Sequence, residues 1–213
     1  MEQEKHTSEK IIKAACRVFA EKGLSGARMH QIAKTAGVNQ ALLHYYFGSK
    51  EKLYQEVIYR VFLEIFSKLS GYFQNSEPID VSFKKFIHAF IDILRNHPEL
   101  PRLIISEIIE GARNITPALD RVFQELGSKP PAFLIPLIES AAAQGLIRQV
   151  DPMQTVISIV GMCVFYFVGK PIIQFVWDGP KDEARFLEER KDAIIDLVLH
   201  GLLKHPDEPE SIT

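Results

Sequence analysis

The stretch "QIAKTAGVNQALLHYYFGSKEKLY", residues 31–54, sets small residues and a glycine inside an otherwise helical pattern and ends in three adjacent aromatics. Two short helices that cross steeply need small side chains where they touch and a sharp turn between them. Ala33 and Gly37 supply both, since Gly37 can take a left-handed backbone at no steric cost. Around them Ile32, Val38 and Leu43 fall where a small core needs apolar groups, with Tyr46 or Phe47 returning to it. That spacing is a helix-turn-helix, which presents its second helix outward to a DNA major groove. Ala33 and Gly37 alone would suit a structural corner in any helical bundle. Joined to Tyr45-Tyr46-Phe47, Ser49-Lys50 and the local charge, they read as DNA binding.

The charge is uneven along the chain. Residues 1–52 carry nine Lys/Arg against five Asp/Glu, a net of +4 in a chain of total −2, which leaves −6 on residues 53–213. A basic amino-terminal module on an acidic body is the polarity expected when one end touches nucleic acid. With 213 residues, 46% of them hydrophobic, the chain can bury a sizeable core in one or two domains. No apolar run of signal-peptide type follows MEQEKHTSEK, so a cytoplasmic location is expected. Cys16 and Cys163 each sit in an apolar helical pattern and read as inert buried groups. There is no HExxH, P-loop, GxGxxG, nucleophile elbow or His/Cys/Asp cluster, so neither an enzyme nor a cofactor nor a metal is expected.

Every long segment has helical spacing, which makes the fold all-α. A first helix is expected from Thr7 to Gly23, and a long fourth helix capped by Ser49, a stiff rod shared by head and body. Further helices are expected at roughly 79–95, 98–110, 117–126, 132–144, 152–169 and 183–204. Thr116-Pro117 and Asp151-Pro152 read as caps followed by proline at the first helical position. Trp177-Asp178-Gly179-Pro180 reads as a turn. Residues 156–168, VISIVGMCVFYFV, are apolar all round, yet thirteen residues span only about 20 Å against a bilayer core of ~30 Å. No membrane span is expected; such a helix must be buried in its own domain or against a partner chain.

At residues 23–54, "GLSGARMHQIAKTAGVNQALLHYYFGSKEKLY", the chain resembles the DNA-binding signature of the tetracycline-repressor (TetR) family of bacterial transcription regulators. The likeness is dense over residues 7–54; beyond them it rests on length, helix count and short features such as "GLIRQVDP", residues 145–152. It implies an N-terminal three-helix helix-turn-helix domain, residues 1–50, joined through the long fourth helix to a C-terminal helical ligand-binding and dimerisation domain, residues 51–213, about nine helices in all. It also implies a homodimer on a palindromic double-stranded DNA operator, released by a small effector, most often as a repressor. The alternative is a DNA-binding regulator without a small-molecule effector, controlled by a protein partner or constitutive.

The resemblance puts Asn39, Gln40, Ala41 and Leu42 at the exposed start of the recognition helix. Gln40 is the best base-reader, because its amide can pair bidentately with adenine, and Ala41 is small enough to let the helix approach and touch a thymine methyl. Asn39, His44, Tyr45 and Lys50 match positions that hold phosphates. Three departures stand out. Arg28 replaces the family's capping Thr or Ser, at a cost of about 1 kcal/mol unless Ser25 or water substitutes, and could instead contact a phosphate. His44 replaces a tyrosine, which would make that contact pH-sensitive. Leu42, at a polar or small position, either meets a thymine methyl or packs.

In the body, surplus aromatics leave room for an apolar pocket with a few polar groups to orient a largely hydrophobic effector. The candidate lining is Phe62, Phe66, His88, Phe90, Ile104, Glu107, Phe133 and Phe165. Glu107, inside "LIISEIIEG", needs a partner if buried: either a cationic ligand or Arg102 or Arg113. The last two helices match the pair that dimerises in the family, with Val156, Val160, Gly161, Val164, Ile194, Ile195, Val198 and Leu202 as the expected seam.

Overall fold

The computed structural model describes residues 2–70, 77–127 and 134–203. Among the described residues there are ten helices and no strand, only one isolated bridge between Ile147 and Leu203. They are α1 (Glu2–Gly26), α2 (Met29–Ala36), α3 (Gln40–Phe47), α4 (Lys50–Ser70), α5 (Ile79–Asn96), α6 (Leu100–Ile109), α7 (Ile115–Leu126), α8 (Leu134–Ala143), α9 (Pro152–Trp177) and α10 (Glu183–Leu202). Two compact units divide them: residues 1–67 with 97–128, and residues 68–96 with 129–213.

In the first unit, Ile11, Phe19, Ile32, Leu43, Leu53 and Tyr54 of α1 to α4 share one core with Leu103 of α6 and Ile115 and Ala118 of α7. Phe19 meets Tyr54 edge to face, centroids 4.7 Å apart, an arrangement that puts a positive ring edge on a negative face. α1 starts well before Thr7, which lies inside the helix, and it breaks at Gly23 (φ 64°, ψ 176°). The Ser49 hydroxyl accepts from Lys52 N–H at 3.2 Å and so caps α4, as expected.

α7 starts differently from the sequence reading. Thr116 is not its cap; the helix begins at Ile115 after Asn114, whose own side chain makes no capping bond. The cap comes from α6. Glu107, 0% exposed, accepts from the backbone N–H groups of Asn114 (3.1 Å) and Ile115 (3.2 Å) and from the Asn114 amide (3.0 Å). A carboxylate at a helix N-terminus satisfies orphan donors and meets the positive end of the helix dipole. Neither Arg102 nor Arg113 is its partner; its oxygens face the start of α7. The wholly buried Tyr54 hydroxyl lies within reach of the same carboxylate without a well-aligned hydrogen bond; burial, then the carboxylate, drives its ionisation well above the ordinary tyrosine range.

In the second unit, α5 packs against α9 and α10, and α8 against α9. Lys191, 2% exposed, binds Asp92 of α5 at 2.7 Å and Glu188 at 2.9 Å, which satisfies a buried ammonium that would otherwise be costly. Asp151 caps α9 as expected, accepting from Gln154 N–H at 2.8 Å. The helix then overruns its expected end at 169 and continues through Pro171 to Trp177. Proline removes one ladder bond, but the exposed Pro171 has room on its solvent side, and the chain turns only where Asp178 and Gly179 both take positive φ. At 26 residues α9 is long and apolar enough to cross a membrane, so the length argument drawn from residues 156–168 fails. One face of the helix, Ile159, Cys163, Tyr166 and Gly169, is buried within its own unit. Phe133 lies outside the described residues.

Candidate nucleic-acid interface

α2 ends in two bonds that depend on Gly37. The Val38 N–H donates to the Ala33 carbonyl (3.0 Å) and the Gly37 N–H to the Lys34 carbonyl (3.2 Å), with Gly37 left-handed at φ 66°. This 6→1 and 5→2 pair closes the helix and redirects the chain. Nothing lies within 4 Å of where a Cβ would sit on Gly37, so backbone conformation rather than space selects glycine. Ala33 is buried at the crossing of the two helices, as its size required. Arg28 occupies the N-cap of α2 and makes no side-chain capping bond; it is exposed.

α3 is capped by Asn39, whose Oδ1 accepts from Ala41 N–H at 2.9 Å. That oxygen is therefore engaged and only the amide N–H groups remain for a phosphate. Leu43 is wholly buried and Tyr46 and Phe47 pack on the core, which turns the opposite side of the helix outward. Gln40, Ala41, His44 and Tyr45 share that side, Tyr45 at 77% exposure. Their spacing of i, i+1, i+4 and i+5 is one helical face. Leu42 lies at its edge, 38% exposed. Lys50 opens α4 beside them, half-buried. Glu51 follows in the first turn, its carboxyl held below the usual range by backbone N–H and the Ser49 hydroxyl. Lys22 of α1 reaches Gln31 of α2 at 3.0 Å.

The residues expected to line an effector pocket fall in both units. Phe62 stacks on Phe66 (5.7 Å), which meets Phe123 (6.2 Å), all in the first unit. Ile104 is half-buried on α6 in that unit, and Glu107 is spent on α7. Phe90 stacks on Phe86 (5.5 Å) in the second unit, whereas His88 is exposed and Phe165 is 63% exposed on α9. A groove of about 370 Å³ runs instead between the start of α9 and the end of α10, lined by Gln154, Ser158, Met162, Leu197 and Gly201.

The expected seam also divides. Ile194, Val198 and Leu202 are buried within the chain itself, packed into its second unit. Val156, Val160, Val164 and Ile195 are half-buried, and Gly161 is open. Outward on α9 stand Met153, Ile157, Phe165, Val168, Ile172 and Phe175, with Leu197 on α10. On α9 these follow one another at three or four residues, with Gly161 midway between Ile157 and Phe165, and form one stripe that the all-round apolarity of the helix concealed in the sequence.

A glycine-closed helix pair that exposes one polar face of its second helix, built on an all-α body, defines a helix-turn-helix DNA-binding transcription regulator. The pattern described as "Bacterial regulatory proteins, tetR family" matches residues 11–57, and that of the tetracyclin repressor-like C-terminal domain matches residues 80–198. The chain belongs to the TetR family. It is 29% identical over 169 residues to the HTH-type transcriptional repressor NicS of Pseudomonas putida, covering 78% of this chain and 77% of that one. With the HTH-type transcriptional regulator RutR of Escherichia coli K12 it shares 24% over 192 residues, 90% and 88% of the two chains. The fold matches that of the fatty acid degradation regulator FadR of Bacillus halodurans with a TM-score of 0.67 at 21% identity, over 90% and 94% of the chains.

Proposed function

We propose that this regulator is a repressor that binds a palindromic operator as a homodimer in the cytoplasm and is released by a small, largely hydrophobic effector. The observation that carries the DNA-reading part is the outward face of α3, from which Gln40 and Ala41 would reach base edges while Asn39 and Tyr45, with Arg28 before α2 and Lys50 at the start of α4, would hold phosphates; the His44 ring, its Nδ1 engaged by the Gly48 carbonyl, stands beside Gln40 instead. Base contacts give sequence choice, and phosphate contacts give register and affinity. A dimer with its two α3 helices about 34–36 Å apart would read half-sites one DNA turn apart.

The outward stripe of α9, with Leu197, is the surface a second copy would cover, extended by Gly161 and the half-buried Val156, Val160, Val164 and Ile195. Phe62, Phe66 and Ile104 remain the candidates for effector contact. An effector shifts the protein toward the released state only by its difference in affinity for the two states. A second reading, a regulator without a small-molecule effector, is favoured by one observation: Glu107 is satisfied within the chain and His88 faces outward, so two of the polar groups expected to orient a ligand are not directed at one.

Selection of the purified protein on a random duplex library, with sedimentation of the same sample, tests this. A palindromic consensus and a dimer are expected. Enrichment of no sequence, or a single 24.2 kDa species at micromolar concentration, would refute it. Native mass spectrometry showing a retained small molecule would support the effector reading over the second.

A further inference from the structure

Gly48 joins α3 to α4 with φ 74° and ψ −75°, and Ser49 N–H donates across it to the Phe47 carbonyl at 2.9 Å. This is a γ-turn of positive φ, a conformation that favours glycine. It brings the Gly48 carbonyl to His44, whose Nδ1 lies 2.8 Å from the oxygen. A carbonyl oxygen only accepts, so Nδ1 carries the proton. In the neutral ring Nε2 is then bare and can only accept. Facing it at 3.5 Å is the side-chain amide nitrogen of Gln40, one helical turn earlier. The opposite amide orientation would set the Gln40 Oε1 against the ring's lone pair.

We propose that the Gly48 carbonyl, acting through His44, fixes which way round the Gln40 amide faces the major groove and so selects adenine at the base pair that Gln40 reads. One amide N–H is held toward His44, which leaves the second N–H and Oε1 outward as a donor beside an acceptor. Adenine presents N7 as acceptor and its N6 amino group as donor, a match to that pair. Guanine presents two acceptors, N7 and O6, so one of them would meet Oε1. On the free protein, water competes for a contact of this length. In the groove water is displaced, and the reversed amide would leave a buried lone pair unpaired. His44 is thus a positioning residue. The inference rests on the reading of Gln40 as a base-contacting residue.

The test is duplex selection with sequencing for the wild-type protein, Gln40→Ala, His44→Phe and the double variant. His44→Phe is expected to lower the adenine-to-guanine ratio at one position of each half-site by about fivefold or more. Other positions, and the salt dependence of binding to a random duplex, should not move. In the Gln40→Ala background His44→Phe should change that ratio no further. His44→Leu serves if the Phe variant does not fold. Loss of the preference in Gln40→Ala with its full retention in both His44 variants would overturn the positioning role. An unchanged profile in Gln40→Ala would instead remove Gln40 as base-reader, and the inference with it. Long-range ¹H–¹⁵N spectra of the DNA-free protein at alkaline pH should show the His44 proton on Nδ1; finding it on Nε2 would overturn the proposal without reference to DNA.

Discussion

Replacing Glu107 by alanine removes the acceptor for two backbone N–H groups, at 3.1 and 3.2 Å, and for the Asn114 amide at 3.0 Å, in a site with no exposure. Each backbone donor left buried without a partner costs about 1–3 kcal/mol. Two of them give about 4 kcal/mol. The Asn114 amide is half-buried and adds little because water can reach it. Glu107→Gln keeps one oxygen for the backbone donors, and Asn114 can flip its own amide to face the new N–H, so its cost is about 1 kcal/mol, the loss of charge assistance. Urea unfolding followed by circular dichroism checks both, at one fixed protein concentration, because association adds to apparent stability. The signature is the gap between the two variants. Equal costs, or an alanine variant within about 0.5 kcal/mol of the wild type, would refute the assignment of Glu107 as the cap of α7.

Gly37→Ala should cost about 1 kcal/mol because φ 66° burdens a Cβ even in open space, and Gly37→Asn should cost less; thermal unfolding of the two variants compares them. Ile157→Glu with Phe165→Glu should yield a folded monomer by sedimentation, since both side chains face outward, whereas Val198→Glu, at a position 5% exposed, should fail to fold. Burial, with the Glu183 carboxylate beside it, pushes the Tyr166 hydroxyl from 10.0 to about 12. Between those values the folded chain holds a proton that the unfolded chain has lost, so stability falls as pH rises from 10 to about 12, and Tyr166→Phe should flatten that limb in unfolding titrations. Burial likewise raises both thiols, Cys16 and Cys163, to about 12; a thiol reagent at neutral pH should modify neither until denaturant is added.

The helix-turn-helix was legible because its causes are local. Gly37, Ala33 and the cap residues Ser49 and Asp151 act on backbone within a few positions, and their spacing survives in one dimension. The same locality made Leu43 readable as core and Gln40 as surface, since one face of a short helix follows from its period. Legibility ended where a partner came from far along the chain or where a pattern had no contrast. Glu107 caps a helix that starts eight residues later, around a turn in which Ala112 takes φ 57°, and no propensity announces that geometry. Thr116-Pro117 offered a locally better start, and the tertiary contact overrode it. In α9, apolar residues on every side left no period to read. Only packing against α5, α8 and α10 decided that Ile159 and Cys163 turn inward while Ile157 and Phe165 turn out, and that Ile194 and Val198 belong to the protomer's own core. Sequence alone determined that this is an all-α, helix-turn-helix regulator and which helix turns its polar face outward, because turns and periods are written in neighbouring residues. Tertiary structure decided how Glu107 is satisfied, which apolar face stays open and how the His44 ring is held, because each depends on where the fold places a distant or turn-borne group.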